Sequence, residues 1–339
     1  MKQIDIVVPC YNEEEVLVAF YETTNGIVSK IPDYDFHYIF VDDGSQDLTL
    51  HLLKGLSNQY ANVDYISFAK NFGKEPAMYA GLSHSTGDYC IIMDADLQHP
   101  PALIPEMVLA VEEGYDCCAA YRLNRKGEAP IRSFFSRQFY KVNNALTSTK
   151  MPYGAVDFRI MSHAMVEAII SLQEVERFSK GIFSYVGFSV KWIGYENVER
   201  TMGQTKWKLR SLLAYAMDGI TAFSVKPLHF VSIMGCLISF FAIIYALYIF
   251  VKAVILGVDL PGYTSTICLV LFLGGVIEFS LGIISEYLCR IFVEIKNRPI
   301  YIAKENTLTS KDKKKKKHGN DKKKKKKNEE FYQINEPEN

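Results

Sequence analysis

A chain of 339 residues, 49% of them hydrophobic and 13% aromatic, has room for one large domain and an appendage. Its formal net charge of zero conceals an asymmetry: twelve of the seventeen residues 311–327 are lysine, so the remainder is net acidic. Seven cysteines without metal-ligand spacing argue for a reducing compartment and against a disulfide framework, and the N-terminus lacks the basic and apolar regions of a secretory signal, so export of the first domain is not expected.

From the N-terminus, short apolar runs at 4–8, 38–41, 63–68, 89–93 and 117–121 alternate with helical patterns at about 14–29, 48–58, 75–85 and 103–112. Such alternation predicts βαβ units and a mainly parallel sheet covered on both faces. Its ligand site should lie at the carboxyl ends of the strands. The adjacent pair Cys117-Cys118 reads as two small apolar residues of the last of these strands.

Residues 126–225 carry a weaker pattern. Residues 130–150 set Ile131, Phe134, Phe135, Phe139, Val142 and Leu146 on one side of a helix, with Arg132, Arg137 and Lys141 interspersed, and 209–223 is a second candidate. Basic and aromatic residues mixed in this way suit helices lying in a membrane interface, and packing on the sheet is the alternative.

Residues 228–251 contain no charged residue, and 263–284 are broken only by Glu278. Each is long enough to cross the hydrocarbon core, and the link between them, 256–262, carries only Asp259. Lys226 precedes the pair, while Arg290, Lys296, Arg298 and the lysine run follow it, so a multi-pass hairpin with both ends cytoplasmic is expected. Glu278 is costly to ionise in such a span, which leaves a protonated, a paired and a water-facing carboxyl as alternatives. Gly274-Gly275 and Gly282 would permit close helix contact and hence a homo-oligomer. The lysine run reads either as a segment drawn to anionic lipid or as a solvated tail. No aromatic–basic module accompanies it, so nucleic acid is not expected as a partner.

The chemistry-bearing residues follow strand ends. The first strand runs into Pro9-Cys10-Tyr11-Asn12-Glu13, the second into Asp42-Asp43-Gly44-Ser45, and the fourth into Asp94-Ala95-Asp96-Leu97-Gln98. Carboxylates gathered at one sheet edge repel unless something positive lies between them, and a hard divalent cation that also binds phosphate oxygens meets that need. Alternate residues of an extended Asp94-Ala95-Asp96 face the same way. Any one cluster alone could be a turn.

These segments, with His99-Pro100, resemble the family 2 glycosyltransferases of GT-A fold, and within them the polyprenyl-phosphate glycosyltransferases, such as bactoprenol glucosyltransferase and dolichol-phosphate mannose synthase. Asn71-Phe72-Gly73-Lys74, Gly154-Ala155-Val156-Asp157-Phe158-Arg159, Lys180-Gly181, Gly203-Gln204-Thr205-Lys206-Trp207 and the 218–228 and 286–299 stretches carry the resemblance across about residues 1–305. It implies a cytoplasmic GT-A nucleotide-sugar-binding domain with interface helices over 1–225, a two-helix transmembrane hairpin over 226–290, and a juxtamembrane segment and lysine-rich tail over 291–339. Pro9, Tyr11, Glu13, Asp42 and Asp43 would hold the nucleotide. Asp94 and Asp96, with Gln98, would meet the donor diphosphate through Mg²⁺ or Mn²⁺. Asp157 would stand nearest the reacting carbon, as a base or as an orienting group, with Asp96 and Arg122 also in the catalytic set. Arg122, Arg132, Lys180, Arg200 and Lys206 are the cations implied for donor or acceptor phosphates. The expected partners are a UDP-linked sugar, a polyprenyl phosphate and the membrane.

Two departures stand out. Relatives often carry an arginine where Asn197 stands and an amide where Glu278 stands. A processive polysaccharide synthase would bring a Gln-x-x-Arg-Trp motif and more spans, neither of which is found. An inactive scaffold or sugar-lipid translocation partner is weighed against by the intact Asp94, Asp96 and Asp157.

Overall fold

A computed structural model describes residues 1–123, 154–196, 225–256 and 262–308. The helices expected at 130–150 and 209–223 and the lysine run lie outside these residues.

The first 123 residues form β1 (Lys2–Cys10), α1 (Leu17–Val28), β2 (Tyr34–Asp42), α2 (Thr49–Gln59), β3 (Val63–Phe68), α3 (Lys74–His84), β4 (Tyr89–Ile92), α4 (Ile104–Glu112) and β5 (Cys117–Arg122). Every strand and helix expected in this stretch is present, with ends shifted by a few residues. After them come β6 (Ala155–Ser162), α5 (His163–Ser171), α6 (Ser179–Tyr185) and β7 (Val190–Tyr195). Two long helices, α7 (Lys226–Leu256) and α8 (Tyr263–Ile295), precede a last strand, β8 (Ala303–Asn306).

The strands make one eight-stranded sheet in the order β7-β5-β6-β4-β1-β2-β3-β8. Its centre, β4-β1-β2-β3, is parallel throughout. Period-two alternation in β1 sends Ile4, Ile6, Val8 and Cys10 to the face covered by α1, α2 and α4, and Val7 to the face covered by α3, α5 and α6. Burying Phe20 and Phe40 completely contributes roughly 1.5–3 kcal/mol each. Gly81 lets α3 lie directly on β1, since a Cβ there would overlap Val7. Cys117 and Cys118 are both buried in β5, as small apolar residues should be.

The antiparallel additions were not foreseen. β6 runs against both β4 and β5, which brings its first residues to the carboxyl edge of the parallel centre. β8 runs against β3, so the chain returns to the sheet after the two long helices, within the segment expected to be only juxtamembrane. Tyr301 stacks on Phe68 at 4.9 Å, and Glu305 accepts from Lys54 (2.8 Å) and from the Tyr65 hydroxyl (3.0 Å).

Among the described residues, one stretch, Lys226–Tyr245 in α7, is long and apolar enough to cross a membrane, with mean hydropathy 2.1 and none of it buried. The second expected span is helical within α8, and its Glu278 is exposed. The link between the helices, 257–261, is outside the described residues.

Candidate active site

The site is assembled at the carboxyl edge by three loops. The loops after β1 and β2 are laced together: the Asn12 amide N–H donates to Ser45 Oγ (3.0 Å), and the Gln46 N–H donates to Asn12 Oδ1 (2.8 Å). The Glu13 N–H donates to Thr49 Oγ1 at 2.8 Å. Gly44 closes the second loop with φ of 67°, packed so tightly on Lys70 and Asn71 that a Cβ would collide with their backbone. Pro9, Tyr11 and Glu13 are half-buried beside this junction.

Asp42 and Asp43 are almost fully buried and spend their carboxylates on the protein itself. Asp42 accepts from the Ser45 N–H (3.0 Å) and Ser67 Oγ (2.7 Å). Asp43 accepts from the N–H groups of Phe72 (2.6 Å) and Gly73 (2.9 Å), just ahead of α3. Burial pushes the Asp43 carboxyl up, against those two donors. Each pair fixes a loop, and the remaining lone pairs of each carboxylate are what a nucleotide could use.

Asp94 follows β4, and Asp157 lies on β6. The antiparallel pairing of β4 with β6 brings them to one point, and the ammonium of Lys74, first residue of α3, stands between them. Its Nζ is 2.6 Å from Asp94 Oδ1, 2.9 Å from Asp94 Oδ2 and 2.7 Å from Asp157 Oδ2. Burial works against the Asp157 charge, but Lys74 foremost, with Lys180, holds its carboxyl below the usual range. Asp157 is therefore a carboxylate at neutral pH. The Arg159 guanidinium is buried beneath it, stacked on Phe183 and donating to the carbonyls of Val156 and Asp157.

The Asp94–Gln98 loop is held by its own backbone and by β5. Leu97 adopts φ of 55°, unusual for a side chain of its size, and the Gln98 N–H donates to Asp96 Oδ1 at 3.1 Å. Arg122 donates to Gln98 Oε1 (3.3 Å) and to the Tyr195 hydroxyl (3.1 Å), so its charge faces this loop. Behind the loop His99 is buried between Phe158 and Tyr195, and burial pushes its imidazole below the usual histidine range. Its Nδ1 has no hydrogen-bond partner among the described residues and lies 3.9 Å from Asp94 Oδ2. Glu75, next to Lys74, accepts from the N–H and Oγ of Ser179; burial and then Asp157 push its carboxyl up to about 7.

Asp94, Asp96, Gln98, Arg122, Asp157 and Lys180 thus share one electrostatic neighbourhood. Arg132, Arg200 and Lys206 lie outside the described residues. Between Asp94 and Asp157 the positive charge expected of a metal is supplied by the chain itself, through Lys74. The donor set still suits Mg²⁺ or Mn²⁺: two carboxylates, an amide oxygen, and the unpartnered imidazole nitrogen close by. No three acidic, histidine or cysteine side chains gather into a cage among the described residues; one or two carboxylates suffice for Mg²⁺ when phosphates and water complete its shell.

Sequence reading missed Lys74, His99, Arg159 and Glu75. Lys74 was part of the resembling segment without a role. Its local signal is a cation in the first turn of a helix, where the dipole disfavours it. The burial of the other three depends on β6 and α6, which had not been foreseen.

The description "Glycosyl transferase family 2" matches residues 5–170, and "GtrB C-terminal hairpin" matches residues 226–291. The Bacillus subtilis (strain 168) protein CsbB is 45% identical over 314 residues, 92% of this chain and 95% of its own. The SfII prophage-derived bactoprenol glucosyl transferase of Shigella flexneri is 36% identical over 307 residues, 90% of this chain and 98% of its own. Among solved structures, glucosyl-3-phosphoglycerate synthase from Mycobacterium tuberculosis is similar at 18% identity and TM-score 0.43, covering 65% of this chain and 78% of that one.

Proposed function

The chain belongs to glycosyl transferase family 2, as a glycosyltransferase with a GT-A-like α/β domain, and from that premise we propose that it transfers a sugar from a UDP-linked donor to a polyprenyl phosphate at a membrane. The observation that carries the reading is the convergence of Asp94 and Asp157 on one ammonium, in a chain whose next segment matches the GtrB hairpin. The acceptor class is supported by the relatives named bactoprenol glucosyl transferase, which align over nine-tenths of the chain. The product would be a polyprenyl-phosphate sugar for cell-envelope glycan modification.

In this reading α7 and α8 are a transmembrane hairpin. Helices in contact through so short a link run antiparallel, and the basic residues beside both outer ends favour a cytoplasmic catalytic domain and termini. The hairpin glycines would let copies associate.

Pro9, Tyr11 and Glu13 line the nucleotide end of the edge, with the Asp42 and Asp43 loops shaping it. Asp94 and Asp96, with the Gln98 amide oxygen, would hold Mg²⁺ or Mn²⁺, which neutralises the charge that develops on the departing nucleoside diphosphate. Arg122 and Lys180 add fixed positive charge, with Arg132, Arg200 and Lys206 as further phosphate ligands. A phosphate acceptor is already ionised near neutral pH and needs orientation rather than deprotonation. Asp157, kept ionised by Lys74, is suited to holding that geometry and to stabilising an oxocarbenium-like carbon. Direct attack by the acceptor inverts the anomeric centre.

The test is transfer by purified protein in detergent with Mn²⁺ or Mg²⁺, undecaprenyl phosphate and a panel of radiolabelled nucleotide-sugars. Metal-dependent labelled lipid from one donor is expected, with about 100-fold or greater loss in Asp96→Asn and in Asp157→Asn. No labelled lipid from any donor, with nucleotide binding retained, would favour a different acceptor or the inactive scaffold.

A further inference from the structure

Lys74 sits where local electrostatics disfavours it. The dipole of α3 disfavours a cation in its first turn. What holds it is tertiary: both oxygens of Asp94 and one of Asp157 lie within 2.9 Å of its Nζ. The backbone beneath is clamped from two sides, by Asp43 on the N–H groups of Phe72 and Gly73 and by Glu75 on Ser179. The turn is therefore fixed, while the lysine side chain is 40% exposed on a flexible four-carbon stem. A cation seeking an Asp94 oxygen meets an ammonium already bonded to both.

We propose that Lys74 is a built-in counter-cation that competes with the divalent metal for Asp94. Its ammonium holds Asp94 to Asp157. When metal and nucleoside diphosphate enter together, it releases Asp94 and turns to the added phosphate oxygens. Metal binding is thereby coupled to donor binding, and the metal alone is bound weakly. Lys74 is on this account a positioning residue, and the account rests on Asp94 and Asp96 as the metal-holding pair.

The test is Mn²⁺ binding to the full chain in detergent without nucleotide, followed by the electron paramagnetic resonance signal of free Mn²⁺. Lys74→Met should tighten Mn²⁺ binding about fivefold or more, because a like charge has left the site. Lys74→Arg should stay near the wild type, and Asp94→Asn added to Lys74→Met should abolish the gain. Lys74→Gln carries the same expectation as Lys74→Met should that variant fail to fold. A gain below fivefold, a weakening, or a gain that survives Asp94→Asn overturns the exchange. So does failure of both Lys74→Met and Lys74→Gln to fold in chelator, since the ammonium would then be a structural ion that cannot be released. The two readings fail separately: labelled lipid without Mn²⁺ tightening sinks the exchange alone, and tightening without labelled lipid sinks the transfer reading alone.

Discussion

His37 shows how single residues hold charge inside this sheet. Its ring lies 3.3 Å from Asp5 and 3.0 Å from Asp64, at the end of the sheet away from the active-site loops. Burial disfavours the imidazolium, but the hydrogen bonds its ring donates to the two carboxylates outweigh it and push His37 up to about 9. Burial likewise works against the Asp5 charge, while His37, Gln3, Gly87 and Ser85 bring that carboxyl down to about 2. The stabilisation from His37 is therefore fully present below pH 6.5 and lost as pH rises through about 9, whereas that from Asp5 is lost only as pH falls from about 4 towards 2. His37→Gln is expected to lose on the order of 2 kcal/mol at pH 6 and much less at pH 9.5. Denaturant unfolding at the two pH values checks this, and an equal loss at both would mean that the imidazolium contributes little.

At the scale of elements, β8 matters out of proportion to its four residues. It covers the β3 edge, which would otherwise present unpaired N–H and C=O groups to any other strand. Its anchors differ in worth. Tyr301 brings an aromatic face onto Phe68, whereas the Lys54–Glu305 pair is partly exposed and screened. Tyr301→Ala should cost about 2 kcal/mol of domain stability. Lys54→Ala should cost well under about 1 kcal/mol. Thermal unfolding of the two variants side by side would decide it, and equal losses would place the clamp in the ion pair. Two contacts also tie the C-terminal end of α8 to the loop before α6: the Val175 N–H donates to Glu294 (2.9 Å), and Arg290 pairs with Glu176 (3.2 Å).

For the whole molecule, the return of β8 to β3 means that the sheet is completed by residues that follow the long helices in the chain. A chain cut after residue 225 loses β8 and Tyr301 along with the helices. A chain in which a Gly/Ser linker replaces residues 226–295 keeps them. Compared by size-exclusion chromatography in the same mild detergent, the linked chain should run as a single species and the truncated one should aggregate through the β3 edge. Identical behaviour would show that β8 is dispensable to the sheet.

Local patterns were enough to read β1 to β5 and the four helices between them. Period-two and period-3.6 alternation, closed by Gly and Pro, is a property of neighbouring residues. The loops bearing Pro9–Glu13, Asp42-Asp43 and Asp94–Gln98 were legible for the same reason, since a parallel sheet sends the carboxyl ends of its strands to one edge. Strand order and pairing across long separations were not. The antiparallel run of β6 beside β4, which brings Asp157 to Asp94, and the return of β8 to β3 are choices among partners that no window of sequence contains. Nor could the sequence show that Asp43 accepts from two backbone N–H groups and Asp42 from a backbone N–H and the Ser67 hydroxyl, or that a lysine in the first turn of α3 supplies the charge between Asp94 and Asp157. Those assignments depend on which buried donors and charges meet in space, and a buried charge accepts whatever partner the packed fold brings within reach.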